Sequence, residues 1–303
     1  MKVFVTGATG YVGSHVARAF RRAGHDVCGL VRGAGRGALL QRFEIRPVVG
    51  TLESPASWQP AAAACSVLVH CASDSGSDRW ARDRAAVQDL LKACGEGSRP
   101  KALLYTSGVW VYGNTGPSPA DETSMPSPLP LVAPRLAIEE LVTGAAGVRG
   151  LVLRPGCLYG GAGSGMTESW FADALSPEGL TVVGDGANHW AMIHADDVGD
   201  AYVRAAERGA AGDIFNVTDG SRESVREMAG AAARAAGARL PIGFLPVEAA
   251  RKTMGGFVDA LVVDQNVDSR KASTLLNWEP RHRGFADEAE IYFAAWQASH
   301  KGA

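Results

Sequence analysis

The sequence has no CxxC spacing and no cysteine set beside paired histidines; its five cysteines, Cys28, Cys65, Cys71, Cys94 and Cys157, are odd in number and scattered. That excludes a disulfide framework and a zinc site on spacing grounds, so no metal is expected and a reducing compartment is. An excess of one charge is also missing. Lys+Arg 30 against Asp+Glu 32 leaves a formal net charge of -2, without the basic surplus that a phosphate backbone demands, so no nucleic-acid partner is expected. No apolar run is long enough to span a bilayer, and no membrane partner is expected. Met1-Lys2-Val3-Phe4-Val5 runs straight into a strand-like segment, leaving no room for a charged leader followed by a long apolar stretch. A soluble, cytoplasmic protein is the expectation. A hydrophobic content of 46% is ordinary for a globular chain, and 303 residues suit one large domain or one domain with an appended lobe.

Short apolar runs alternate with longer Ala-rich, Arg-punctuated segments in the first half, the pattern of parallel strands joined by helical crossovers. The expected fold class is α/β, a doubly wound parallel sheet with a smaller C-terminal substrate lobe. Strands are expected over Val3–Val5, Val27–Val31, Ile45–Val49, Val67–His70, Ala102–Thr106, Leu151–Leu153 and Ile214–Val217. Several are continuous apolar runs, as strands covered on both faces are. Apolar residues at three- and four-residue spacing place helices over Gly13–Ala23, Arg82–Cys94 and Arg135–Thr143, then over Ser224–Ala236 and Ser269–Leu276. Residues 1–160 form the expected nucleotide-binding core, completed by about 190–218; 161–189 and 219–303 form the lobe. Between Gly113 and Pro134 lie Pro117, Pro119, Pro126, Pro128, Pro130 and Pro134, which forbid a continuous helix or central strand and predict a long surface loop.

The strongest local signal is Val3-Phe4-Val5-Thr6-Gly7-Ala8-Thr9-Gly10-Tyr11-Val12-Gly13, a strand, three glycines and a helix start. Such a turn lets backbone approach a pyrophosphate, while the helix offers free N–H groups and the positive end of its dipole. At the end of the second strand, where NAD-binding folds place a carboxylate for the ribose hydroxyls, the chain reads Cys28-Gly29-Leu30-Val31-Arg32-Gly33. Arg32, with Arg36, suits the 2′-phosphate of NADP. NADP(H) is therefore expected in preference to NAD(H), against the plainer alternative of two solvated arginines in a chain where Arg supplies 24 of 30 basic residues.

With these residues the chain resembles the short-chain dehydrogenase/reductase superfamily, in the extended or atypical branch that holds nucleotide-sugar epimerases and dihydroflavonol-type reductases. The resemblance spans nearly the whole chain. It rests further on Val67-Leu68-Val69-His70-Cys71-Ala72, Leu104-Tyr105-Thr106-Ser107-Gly108 with Val111-Tyr112-Gly113, and Leu153-Arg154-Pro155-Gly156-Cys157-Leu158-Tyr159-Gly160. Later come Gly184-Asp185-Gly186, Ile193-His194-Ala195-Asp196-Asp197-Val198, Phe215-Asn216-Val217, Asp268-Ser269-Arg270-Lys271 and Asn277-Trp278-Glu279-Pro280. The resemblance implies a cofactor site of Gly7, Thr9, Gly10, Tyr11, Val12, Arg32, Cys71, Ala72, Ser73, Thr106, Arg135, Pro155, Gly156 and Leu158. It implies Ser107 as the serine that hydrogen-bonds the reacting oxygen, a small-molecule substrate and a homodimer.

The family's Tyr and, four residues later, Lys are not matched: Leu131 falls at the Tyr position and Arg135 at the Lys position. Leucine cannot donate a proton; a guanidinium holds ribose but is a poor proton shuttle. Asp83 falls where the branch carries an Asn that supports the proton relay. Three readings stay open. A different donor acts, with Tyr112 leading and Tyr159, His70, Asp74 and His194 behind it; or substrate or water supplies the proton; or the protein binds NADP as a sensor without turnover. The catalytic candidates are therefore Ser107, Tyr112 and Arg135. The expected activity is reduction of a carbonyl or related group, with an epimerase or dehydratase as the alternative. Trp80, Trp110, Trp170, Trp190 and Phe171 suit either an apolar pocket or the core, and Arg204, Arg251, Arg270 and Arg283 are available to a substrate diphosphate.

Overall fold

A computed structural model describes residues 1–96, 101–161, 163, 166–282 and 284–300; Arg283 lies outside the described residues. The first half alternates strand and helix: β1 (Lys2–Thr6), α1 (Tyr11–Arg22), β2 (Asp26–Val31), α2 (Ala34–Gln41), β3 (Arg46–Val49), α3 (Gln59–Ala63), β4 (Val67–His70), α4 (Arg79–Gly95), β5 (Ala102–Thr106), α5 (Arg135–Thr143) and β6 (Arg149–Pro155). The second half is less regular. It runs β7 (Cys157–Tyr159), α6 (Thr167–Leu175), β8 (Thr181–Val183), β9 (Met192–His194), α7 (Ala195–Arg208), β10 (Ile214–Val217), α8 (Val225–Ala236), β11 (Gly243–Leu245), α9 (Val247–Met254), α10 (Val258–Val262) and α11 (Ala289–His300).

Seven parallel strands form one sheet in the order β10-β6-β5-β4-β1-β2-β3. Every strand predicted from an apolar run lies in it. Successive side chains serve opposite faces: Val3, Val5, Val67, Val69, Leu104, Leu151 and Leu153 share one core with α1 and α7, while Phe4, Leu68, Leu103, Tyr105 and Val152 share another with Val87, Leu90, Ile138 and Val142 of α4 and α5. Each such buried side chain contributes about 1.5–3 kcal/mol. Strand order reverses between β1 and β4, and in such sheets the crevice outside the carboxyl ends at the reversal is where ligands bind.

The C-terminal lobe has its own aromatic core. Trp170, Phe171, Trp190, Phe285 and Tyr292 pack with Tyr159 and the Ala-rich face of α8, so Trp170, Trp190 and Phe171 are core residues. β7 pairs with β9, and β8 with β11, in separate two-stranded sheets. The proline-rich segment after Tyr112 is more firmly held than a plain loop: Thr115 N donates to Asp264 O (3.0 Å), Ala120 N to Asn266 O (2.8 Å), and Ser127 N and Leu129 N to the carbonyls of Val111 and Trp110. Prolines bar a helix here but leave these amides free to bond. The segment predicted helical over Ser269–Leu276 is a π-helix over Ala272–Leu276, which ends on Asn277 at φ 53.

The helix α7 went unrecognised because no Ser, Thr, Asn or Asp stands at its N-cap; His194 does the work, its Nδ1 accepting from Asp196 N at 3.2 Å. Burial, with the His282 ring stacked 3.7 Å away, lowers the His194 pKa from 6.5 to about 4. An imidazole protonated on Nδ1 loses the cap. Below the unfolded pKa the unfolded chain binds the proton that the folded one refuses, so this contribution to stability falls with pH, by up to about 1.4 kcal/mol per unit. The melting temperature is expected to drop between neutral pH and about pH 5 more in the natural protein than in His194→Gln, and thermal melts of both chains check this.

Candidate active site

The turn from β1 to α1 is built for close approach. Gly7 sits at φ +68, and a Cβ there would lie 2.6 Å from Ala72 N; a Cβ on Gly13 would lie 2.2 Å from Gly7 O. Only glycine lets the turn fold under α1 and against the residues after β4. At the start of α1 no side chain caps the helix and no acidic residue stands in its first turn, so its leading amides and positive dipole end are left for an anion. Tyr11 donates to Gly160 O at 2.6 Å and His15 Nδ1 pairs with Asp196 Oδ1 at 2.7 Å, which fastens α1 to the residue after β7 and to the start of α7.

From this turn a cleft of about 690 Å³ runs along the carboxyl ends of the strands. Gly7, Thr9, Gly10, Tyr11, Val12, Arg32, Cys71, Ala72, Ser73, Thr106, Arg135, Pro155, Gly156 and Leu158 all line it, as does Ser107. A glycine turn that a Cβ would fill, a bare helix start and a cleft this long fit a dinucleotide. At its far wall Arg32 and Arg36 are both exposed and line the cleft. Cys71 is no nucleophile, because burial pushes its thiol up to about 12.

At the other end, Ser107 is 3% exposed and its Oγ is buried without a partner among the described residues. Arg135 lies beside it: a Cβ on Gly108 would fall 2.8 Å from Arg135 Nη1, so the guanidinium rests against bare backbone next to the serine. Leu131 lines the same wall.

Tyr112 is a correction. It does not line the cleft; its buried hydroxyl donates to Asn216 Oδ1 (2.9 Å) and accepts from Arg154 Nη1 (2.7 Å). Burial raises its pKa, and the arginine behind it is itself locked to Glu139, so the hydroxyl braces the loop and reaches no substrate. The weaker candidates fare similarly. Tyr159 is fully buried and donates to Asp219 Oδ2 at 3.0 Å; His194 caps α7. Asp74 does line the cleft, but bonds from the amides of Gly76 and Ser75 and the nearby Arg82 hold its carboxyl ionised.

His70 lies behind the wall, with Nδ1 on Thr6 Oγ1 (2.7 Å) and Nε2 on Asp83 Oδ1 (2.8 Å). Asp83 Oδ2 accepts from Tyr105 (2.6 Å), so a buried chain of Thr6, His70, Asp83 and Tyr105 reaches the cleft only at Asp83. Sequence reasoning did not single out Arg79, because it began α4 at Arg82; Trp80, which suited either a pocket or the core, lines the cleft. The signal was there: cations in the opening residues of a helix oppose its dipole and need another reason. Of the remaining arginines, Arg204 pairs with Glu207, Arg251 with Asp259 and Arg270 with Asp268.

Sheet order, glycine turn and cleft define a dinucleotide-binding α/β protein. Residues 3–218 match the NAD dependent epimerase/dehydratase family, and the chain belongs to it. A 4-hydroxy-2-methyl-3-oxo-4-farnesyl-3,4-dihydroquinoline-1-oxide ketoreductase of Stigmatella aurantiaca is 27% identical over 261 residues, 83% of this chain and 78% of that protein. A 3-diazoavenalumate denitrifying reductase of a Streptomyces species is 28% identical over 306 aligned residues, 95% of this chain and 98% of that one. The fold is shared with a dTDP-glucose 4,6-dehydratase of Streptomyces venezuelae, solved with NAD bound, at a TM-score of 0.85 and 21% identity over 100% of this chain and 98% of that one. No helix among the described residues is long and apolar enough to cross a membrane.

Tyr112→Phe removes two buried hydrogen bonds and is expected to destabilise the protein by about 1–3 kcal/mol while leaving the affinity for a nicotinamide dinucleotide unchanged. Chemical denaturation and a fluorescence titration measure the two effects separately.

Proposed function

We propose that the protein is an NADP(H)-dependent oxidoreductase that reduces a carbonyl or related group of a small organic molecule. The observation that carries this reading is the buried, unpartnered Ser107 hydroxyl set beside the Arg135 guanidinium in the glycine-turn cleft. Bound NADPH would supply the hydride. Gly7, Gly10 and the first amides of α1 would hold its pyrophosphate, and Arg32 with Arg36 its 2′-phosphate, since no carboxylate ends β2 to select ribose hydroxyls.

Ser107 donates to the substrate oxygen, and Arg135 stabilises the negative charge that grows there. Two such donors in a desolvated cleft act on the barrier without moving a proton themselves. With leucine at 131, the proton comes from water, and the acid's usual share of the rate, ~10²–10⁴-fold, is forgone. Reduction demands less of the missing tyrosine than epimerisation, in which a base must first remove a hydroxyl proton. The ketoreductase and reductase relatives support the same choice. Net consumption of NADPH separates the two, because an epimerase regenerates its cofactor in each cycle.

Fluorescence titration is expected to show tighter binding of NADPH than of NADH, and Arg32→Ala to weaken NADPH binding about tenfold or more with little change for NADH; equal losses for both cofactors overturn the assignment. Leu131→Tyr combined with Arg135→Lys is expected to raise the rate of carbonyl-dependent NADPH oxidation by about tenfold or more, read by the absorbance of the reduced nicotinamide.

A further inference from the structure

Resting on the reductase reading, we propose that the end of the cleft between the start of α4 and the start of α5 is a carboxylate-binding subsite, so that the substrate carries a carboxylate together with an apolar or aromatic body. Arg79, Arg82 and Arg135 all line the cleft with Trp80. The guanidinium carbons of Arg79 and Arg135 lie 4.7 and 5.5 Å from the centre of the Trp80 ring, so one indole carries two cations. Two like charges held this close, at a site of reduced water access, repel each other unless an anion joins them.

Nothing among the described residues neutralises them. Arg135 makes no ion pair, and its Nε is buried without a partner. Arg79 spends one N–H on the carbonyl of Leu131 at 2.5 Å, a neutral acceptor. The nearby acids are already engaged: Asp74 holds Arg82 at 2.5 Å, and both oxygens of Asp83 accept from His70 and Tyr105. Even Arg82 keeps a buried, unpartnered Nε. Arg79 and Arg82 moreover stand within the first four residues of α4, where the helix dipole adds to their field. A carboxylate takes two parallel N–H bonds from a guanidinium fork, while Val109, Trp110, Leu131, Val132 and Met166 supply an apolar wall.

In the reaction this implies, a hydride that NADPH would supply, becoming NADP+, goes to the carbonyl carbon, the C=O π electrons move to oxygen, and water protonates the alkoxide held by Ser107, leaving hydroxide to the solvent. The carboxylate takes no part in the electron balance; it orients the substrate.

The test compares acid and ester on one protein. NADPH-loaded enzyme is assayed with 4-carboxybenzaldehyde and methyl 4-formylbenzoate, and NADP-loaded protein is titrated by calorimetry with the unreactive pair 4-methylbenzoate and its methyl ester. The acid of each pair is expected to show about tenfold or more lower KM or Kd, and Arg79→Gln to abolish the preference while NADPH affinity stays as it was. Equal values for acid and ester in the natural protein overturn the subsite, as does a preference that survives both Arg79→Gln and Arg82→Gln. The calorimetric arm needs no turnover. Failure to bind NADPH counts against the reductase reading, whereas NADPH bound with no acid preference counts against the subsite alone.

Discussion

The buried fork between Arg154 and Glu139 is the constraint on which the site depends. Arg154, on β6, gives Glu139 of α5 two N–H bonds, at 3.0 and 2.5 Å, with both side chains under 5% exposed. Removing either partner strands a charge in the interior, at about 3–5 kcal/mol. The same guanidinium reaches Tyr112, which reaches Asn216 on β10, whose amide group bonds the carbonyl of Asp268. One charged pair thus sets the tilt of α5, the path of the loop before it and the seat of the strand at the sheet's edge. Arg135, four residues ahead of Glu139, owes its place beside Ser107 to that lock.

This explains what was legible and what was not. Most of the strands were readable because they are continuous apolar runs covered on both faces, as β4 is throughout; β3, at the sheet's edge and half exposed, carries a weaker form of the pattern. The glycine turn was readable because a positive φ and two close approaches leave a trace in residue type. The role of Tyr112 had no such trace: its partners come from β6 and β10, 42 and 104 residues away, and no spacing rule spans that distance. The lobe strands β7, β8, β9 and β11 are three residues each, too short to display a period. The start of α4 was placed three residues late, and that small error hid Arg79.

Leu131, where the family resemblance led us to expect a tyrosine, has a structural place of its own. The position holds leucine, but its carbonyl anchors Arg79 and its side chain joins an apolar wall. Around it the cleft wall carries the fixed positive charge of Arg79 and Arg135. Electrostatic stabilisation of a growing anion does not require a titratable residue, so chemistry that tolerates slow protonation suits this arrangement.

The chain enters the lobe after β6, returns to the sheet for α7 and β10, and leaves again. Each half of the lobe needs the other: α6 comes from the first visit, α8 and α11 from the second, and they share one aromatic core. The lobe is consequently not a module that can be lifted from one relative and set on another at a single junction. Anyone who would transplant this lobe must exchange two stretches of chain together, and natural divergence of this architecture faces the same arithmetic of paired change.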